Sequence, residues 1–485
     1  MRRNISVALV SLGLLLGTAG CNSFLTGDKL STDPNNPATA TIQTLLVGIQ
    51  GGQFAFQEGT VATMVCMWMQ QCGATNGRFV EQAGRYVFGA GSNIGANGVD
   101  WATIYTGGGL IDMDTIAKMA IVAGDSIFLG IDLVWKAFTL GSATDMWGSI
   151  PYTQIRTSPT PALDSQLVLY DTVQAMLSTA IRKLTSGVAT LPTPHDLVLG
   201  GDPAKWIAVA HTLKARYFLH TVEAAANGKL GGRTVANVFT DVLAEATSGI
   251  SDATGASDFR SFHTGIGYPQ SNAWFTFQDN SAFGGDLESG KALVDYMNAR
   301  SDPRRADYFC QNSAGGYAGD DFNVPQADVS AFDCEPTRFS PAFRVPFVTY
   351  QENQLILAEA NLALGNTAPA QANLQNAYDA VPLTGHTASA ILPAALLDSI
   401  MMEKYVVMFQ NIEALSDYRR TCIPNLAFVT PNVLSLTAVP GELFYPQTER
   451  NANANIPSES QEVTNHVRTQ SDVTPCTGTG AQAYP

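Results

Sequence analysis

Three tryptophans stand beside hydrogen-bonding side chains in this sequence. Trp68 is followed by Gln70 and Gln71, Trp101 comes after Asn97 and Asp100, and Trp274 lies between Asn272 and the Gln278-Asp279 pair. Tyr268 and Tyr317 sit in glycine-rich stretches. An aromatic ring offers a large, stiff, apolar face at low ordering cost, and neighbouring amides and carboxylates bond hydroxyl groups. That combination is the chemistry of sugar recognition. Any one aromatic side chain is more often part of a core. Trp101 and Trp274 are the favoured contacts because their surroundings are polar and loop-like. Trp68, Tyr268 and Tyr317 are the further candidates.

Patterns for catalysis or cofactors are missing. No G-x-x-x-x-G-K-[ST] loop, H-E-x-x-H pair or G-x-S-x-G elbow occurs. Gly107-Gly108-Gly109 reads as a turn. Asp320-Asp321-Phe322-Asn323 offers oxygen ligands that suit calcium, but without the spacing of a calcium loop, and a solvated turn is the preferred reading. The 6 histidines are scattered and no paired C-x₂-C exists, which argues against zinc. No cofactor or metal is expected. Carboxylate pairs for glycosidic cleavage meet only in a fold, and nothing here singles out two. The net charge is −15 and no Lys/Arg-rich run occurs, so nucleic acid is an unlikely partner.

The cysteines carry a different message. Arg2 and Arg3 precede an apolar stretch, Ile5 to Gly17, and then Thr18-Ala19-Gly20-Cys21. A charged start, a short apolar region and small residues before a cut site make a secretory signal. The stretch is too short to cross a bilayer, which takes about 20 apolar residues. Small residues directly before a Cys look like a lipobox, in which Cys21 receives a diacylglyceryl group and begins the mature chain. Plain secretion with Cys21 as a disulfide partner is the alternative. Several acyl chains together anchor stably. Cys66, Cys72, Cys310, Cys334, Cys422 and Cys476 remain, an even set that favours disulfides in an exported chain. Six cysteines allow fifteen connectivities. Pairing nearest neighbours would give Cys66–Cys72, Cys310–Cys334 and Cys422–Cys476.

The elements that must position these residues read mainly as helices. Asp164 to Leu184 carries a helical apolar period with Asp164 and Ser165 as N-cap candidates, and Pro203 to Ala226 follows an Asp202 cap with Pro at its first position. Asn353 to Leu364, Ala370 to Val381 and Ala394 to Phe409 are three more. Small residues in Leu357-Ala358-Glu359-Ala360 face Ala372, Leu374, Ala377 and Tyr378 across a Gly365-Asn366 break. This is the logic of tetratricopeptide repeats, or equally of a generic helical hairpin. Ser248 to Gly290 and Asn312 to Phe339 are too long and polar to be simple connectors, and read as functional surface loops. No linker divides the 485 residues. The expectation is a signal peptide over 1–20, a lipidated tether over 21–40 and one large, mainly helical domain over 41–485.

Several strings resemble those of the SusD/RagB-like nutrient-binding lipoproteins. They are Asp33-Pro34-Asn35-Asn36-Pro37, Asp145-Met146-Trp147-Gly148-Ser149-Ile150-Pro151-Tyr152, Leu213 to Leu219, Asp302-Pro303-Arg304, Thr349-Tyr350-Gln351-Glu352 with Ala358-Glu359-Ala360, Glu413 with Asp417-Tyr418-Arg419-Arg420, and Tyr445-Pro446 with Glu449 and Asn453. Their order along the chain makes the set specific. The residues themselves read as structural: Trp147 as a core anchor, Arg419 and Arg420 in internal ion pairs. The resemblance implies a mainly α fold with tetratricopeptide-like pairs and long irregular loops. It also implies an outer-membrane, outward-facing lipoprotein that captures a glycan or peptide for a SusC-like TonB-dependent barrel, and no enzyme. A secreted polysaccharide hydrolase and a non-binding structural lipoprotein are the alternatives.

Overall fold

The computed structural model describes residues 40–477, apart from 76, 82, 87–98, 191–194, 281–283, 382, 384, 433–435, 466 and 467. The apolar N-terminal stretch, Cys21 and the Asp33-to-Pro37 segment lie outside the described residues, as does Asn97.

The frame is a run of helices, each packed on the next. Helices α1 (Ile42–Glu58) and α2 (Thr60–Trp68) lead into α3 (Leu110–Ala123), α4 (Ser126–Trp147), α5 (Gln166–Thr185), α6 (Pro203–Leu219) and α7 (Val235–Thr247). Then come α8 (Tyr350–Ala363), α9 (Thr367–Asp379), α10 (Pro393–Val407) and α11 (Glu413–Thr421). Helix α3 packs on α4, α4 on α5, α5 on α6, α6 on α7, α7 on α8, and α8 on both α9 and α10. This is the tetratricopeptide-like pairing. Helix α4 is long and apolar enough to cross a membrane, but 89% of its apolar window is buried inside the protein. It is a core helix. Gly141 lets α6 come close: a Cβ there would stand 2.1 Å from the Tyr217 ring.

Local signals explain the boundaries. The Asp202 carboxylate accepts the N–H groups of Ala204 and Lys205 and starts α6, with Pro203 in a position whose N–H needs no partner. The sequence period suggests one helix to Ala226, but α6 ends at Leu219 and a separate short helix, Val222–Ala226, follows. At the break, the Thr221 hydroxyl donates to the Phe218 carbonyl and competes with the helical ladder. Ser165 stands at the N-cap position of α5 with its hydroxyl donating to Gln470 rather than capping, and the Asp164 carboxylate accepts the N–H groups of Tyr152 and Thr153 and holds that turn.

Helix α8 is buried on two sides. Leu355 and Ala358 join a core with Leu374, Ala377 and Leu396, while Ile356 and Ala360 join another with Val238, Phe239 and Val242. The Ala-Glu-Ala string is therefore two small faces with a buried acid between them. Glu359 pairs with Arg420, whose Nη2 lies 2.8 Å from Oε2.

Two short antiparallel ladders grip the long segment before α8. Phe259–Arg260 pairs with Pro346–Val348, and Leu287–Ser289 pairs with Cys72–Ala74. Disulfides join Cys66–Cys72, Cys310–Cys334 and Cys422–Cys476, at S–S distances of 2.08, 2.12 and 1.98 Å. The Asp320-to-Asn323 string is a turn wired by its own chain: Asp321 accepts the Asn323 N–H, Asp320 accepts the Gln326 N–H, and Phe322 is buried.

Candidate ligand-binding cavity

A cavity of about 760 Å³ opens between α1 and the segment 262–280. Helix α1 contributes Val47, Gly51, Phe54, Ala55 and Glu58. Their spacing places them on one face of the helix. The facing wall is the segment between the two ladders. Its turn closes when the N–H groups of Thr264 and Gly265 both donate to the Gln270 carbonyl. Gly265 and Gly267 each sit at φ 71°, in the left-handed region that glycine adopts without strain. Asn272 then caps a short helix, Ala273–Asp279: its Oδ1 accepts from Trp274 N at 2.7 Å and its Nδ2 donates to the Phe343 carbonyl at 2.9 Å.

The floor is a hydrogen-bonded histidine–glutamate pair. His263 Nε2 lies 3.0 Å from both carboxylate oxygens of Glu58. Glu58 is buried. This pair ties the loop to α1. The rim is aromatic and open: Tyr268 is 50% exposed and Phe262 is 36% exposed. The Tyr268 hydroxyl donates to Asp279 Oδ2 at 2.6 Å, which fixes the ring at the mouth. Arg344 stacks behind the Phe262 ring, 5.6 Å from its centroid. Gln270 and Asn280 add amides to the lining. Chemically, this is a site with apolar ring faces at the entrance and hydrogen-bonding groups around them.

Two other cavities differ. One, of about 1080 Å³, lies between Gly148-Ser149, Lys229 and residues 442–473, and its one aromatic residue, Tyr445, is 7% exposed. Another, of about 320 Å³, is edged by Trp101, Pro151 and Glu449.

The aromatic residues favoured from sequence take other places. Trp274 is 2% exposed and packs beneath the cavity with the Phe339 ring edge-on at 5.9 Å. It anchors the short helix and presents no free face. Trp101 is 3% exposed, with Trp147 and Tyr445 each at 5.5 Å and edge-on. Trp68 is fully buried beside Tyr86. All three are buried and none lines the cavity at α1, although Trp101 edges the cavity of about 320 Å³. Tyr317 is half-buried under the Arg305 guanidinium, away from the cavity. Tyr268 alone of the five lines it. Phe262, His263 and Glu58 had no sequence signal, since the wall forms from segments far apart in the chain.

The strings shared with the family turn out to be an ionic core. Arg216 pairs with Glu352 at 2.6 Å, Arg304 with Glu403 at 2.8 Å, Arg419 with Asp472 at 2.7 Å and Arg420 with Asp417 at 2.6 Å. Trp147 is a buried anchor. Asp145, His220 and Glu413 bring ligand-type atoms within 4.8 Å of one another. Burial alone would lower the His220 pKa, but Asp145 and Glu413, each 2.8 Å away, outweigh it and raise it to about 9. A metal needs the neutral ring. The protonated imidazole fits better, as a bridge between two carboxylates.

The comparisons agree on a family. A model of SusD-like proteins, described as "Starch-binding associating with outer membrane", matches residues 34–446. Among curated proteins, none matches the chain. A chitin-binding SusD homolog from Flavobacterium johnsoniae is similar in fold, with a TM-score of 0.71 at 18% identity over 91% of this chain and 98% of its own. A SusD/RagB family protein from Bacteroides thetaiotaomicron has a TM-score of 0.62 at 17% identity, over 92% of this chain and 100% of its own. A SusD-like protein from the same organism has a TM-score of 0.68 at 19% identity, over 92% and 98%.

Proposed function

Because this chain belongs to the SusD-like family, whose description is starch-binding in association with the outer membrane, we propose that it is a binding protein that captures an oligosaccharide at that membrane. The observation that carries the reading is the cavity with two exposed aromatic faces, Tyr268 and Phe262, beside amide groups. A fold relative described as chitin-binding supports a glycan over a peptide. Two carboxyls stand at the cavity and each is engaged: Glu58 in the lining bonds to His263, and Asp279 at the rim accepts from the Tyr268 hydroxyl. Cleaving a glycosidic bond takes two carboxyl groups flanking it. The reading is therefore capture without turnover.

The finer parts of the proposal follow from the sequence. Residues 1–20 are removed as a signal, Cys21 carries the lipid, residues 21–40 act as a tether, and 41–485 form the binding domain. The partner is a SusC-like TonB-dependent barrel, which receives the captured glycan. The lipoprotein is displayed on the outer side of the membrane, facing the cell exterior.

A pull-down of the tagged, lipidated protein from native outer membrane, followed by mass spectrometry, tests this. A stoichiometric TonB-dependent barrel is the expected result. A Cys21→Ala variant should be recovered without lipid and in the soluble fraction. Recovery of the wild-type protein without lipid and without a barrel would overturn the proposal.

A further inference from the structure

The charge of the cavity walls is set by three stretches of sequence. No lysine or arginine occurs between Lys29 and Arg78, between Lys183 and Lys205, or between Arg260 and Lys291. These stretches supply every residue that lines the cavity, from Val47 to Glu58, Leu197, and Phe262 to Asn280.

Two arginines close to the cavity segment, Arg344 and Arg260, are engaged by their own neighbours. Arg344 lies behind the Phe262 ring, and its Nε and Nη2 donate to the carbonyls of Ser261 and Val198 at 2.6 and 3.3 Å. Arg260 pairs with Asp258 at 2.5 Å. The acids are at the cavity itself: Glu58 on its floor, bound to His263, and Asp279 exposed at its rim beside Tyr268. The whole chain carries −15.

From this we infer that the cavity takes uncharged saccharides and excludes those bearing uronate, sulfate or phosphate groups. The inference rests on the cavity being the glycan site. An anionic sugar entering it loses water and gains no lysine or arginine partner from the lining, whose one basic side chain, His263, already bonds to Glu58. It also approaches Asp279 and a strongly negative protein, a repulsion that acts over about 8 Å at physiological salt. A neutral ring gives up hydroxyl hydration that amides and hydroxyls replace.

The test is a glycan array carrying neutral and acidic oligosaccharides, probed with the labelled full-length protein, Tyr268→Ala and Val47→Lys. Val47 lines the wall, is 37% exposed, and makes no polar contact that its replacement would break. Hits confined to uncharged glycans, lost in Tyr268→Ala, are expected. Val47→Lys should raise the relative signal of acidic glycans about tenfold, the factor that about 1.4 kcal/mol produces. Acidic hits on the wild-type protein that vanish in Tyr268→Ala would overturn the inference while leaving the site in place. Neutral hits that persist unchanged in Tyr268→Ala, or no hits of either class, would overturn the site and the inference with it.

Discussion

His220 is held between Asp145 and Glu413 with a pKa of about 9. The folded protein thus binds this proton more tightly than the unfolded chain, where imidazole titrates near about 6.5. The stabilisation is complete below that pH and is lost as pH rises through about 9. We expect the melting temperature to fall from pH 7 to pH 9.5. In His220→Gln it should be lower at pH 7 and nearly flat across that range. An unchanged slope in the variant would show that another group titrates. Trp274 makes a related point about what a residue's neighbours mean. Asn272 precedes it in sequence, yet that amide caps the helix that buries the tryptophan. Polar neighbours marked a helix start and not a ligand surface. Trp274→Ala should cost about 3–5 kcal/mol of stability, as for a large core side chain. Denaturant melts measure it, and a loss under about 1 kcal/mol would contradict the placement.

Elements were legible where the signal is local. The Asp202-Pro203 start of α6 and the small-residue face of α8 both follow from a few adjacent residues and their geometry. The cavity was not legible, because its floor joins Glu58 to His263 across 205 positions. No period or cap encodes such a meeting. The long segment between the two ladders was marked as functional by its length, and it does supply one cavity wall. Trp101, by contrast, is covered by Trp147 and Tyr445, residues from two distant strings. At this scale the close contact of α4 and α6 is testable. Gly141→Ala places a methyl group against the Tyr217 ring and should destabilise the protein by about 1–3 kcal/mol. Gly141→Ala combined with Tyr217→Phe leaves the ring in place and should not recover stability. Recovery there would mean that the phenol oxygen alone makes the clash.

Across the whole molecule, the stacked helices and their buried ion pairs form the frame, and an irregular segment, 262–280, supplies the second wall of the cavity. The strings that resemble the family's serve the frame: they pair α6 with α8 and α11, and α11 with both α4 and the C-terminal segment around Asp472. The cavity lies outside those strings, on α1 and the 262–280 segment. The most direct measurement is calorimetric titration of an array-identified neutral oligosaccharide into the wild-type protein and Tyr268→Ala, with melts of both. Tyr268 is half-exposed, so its loss should leave the melting temperature within about 2 °C. The account predicts an affinity loss of about tenfold or more, the scale of one aromatic stacking contact. Equal affinity in the two proteins would contradict the claim that this cavity is where the glycan is held.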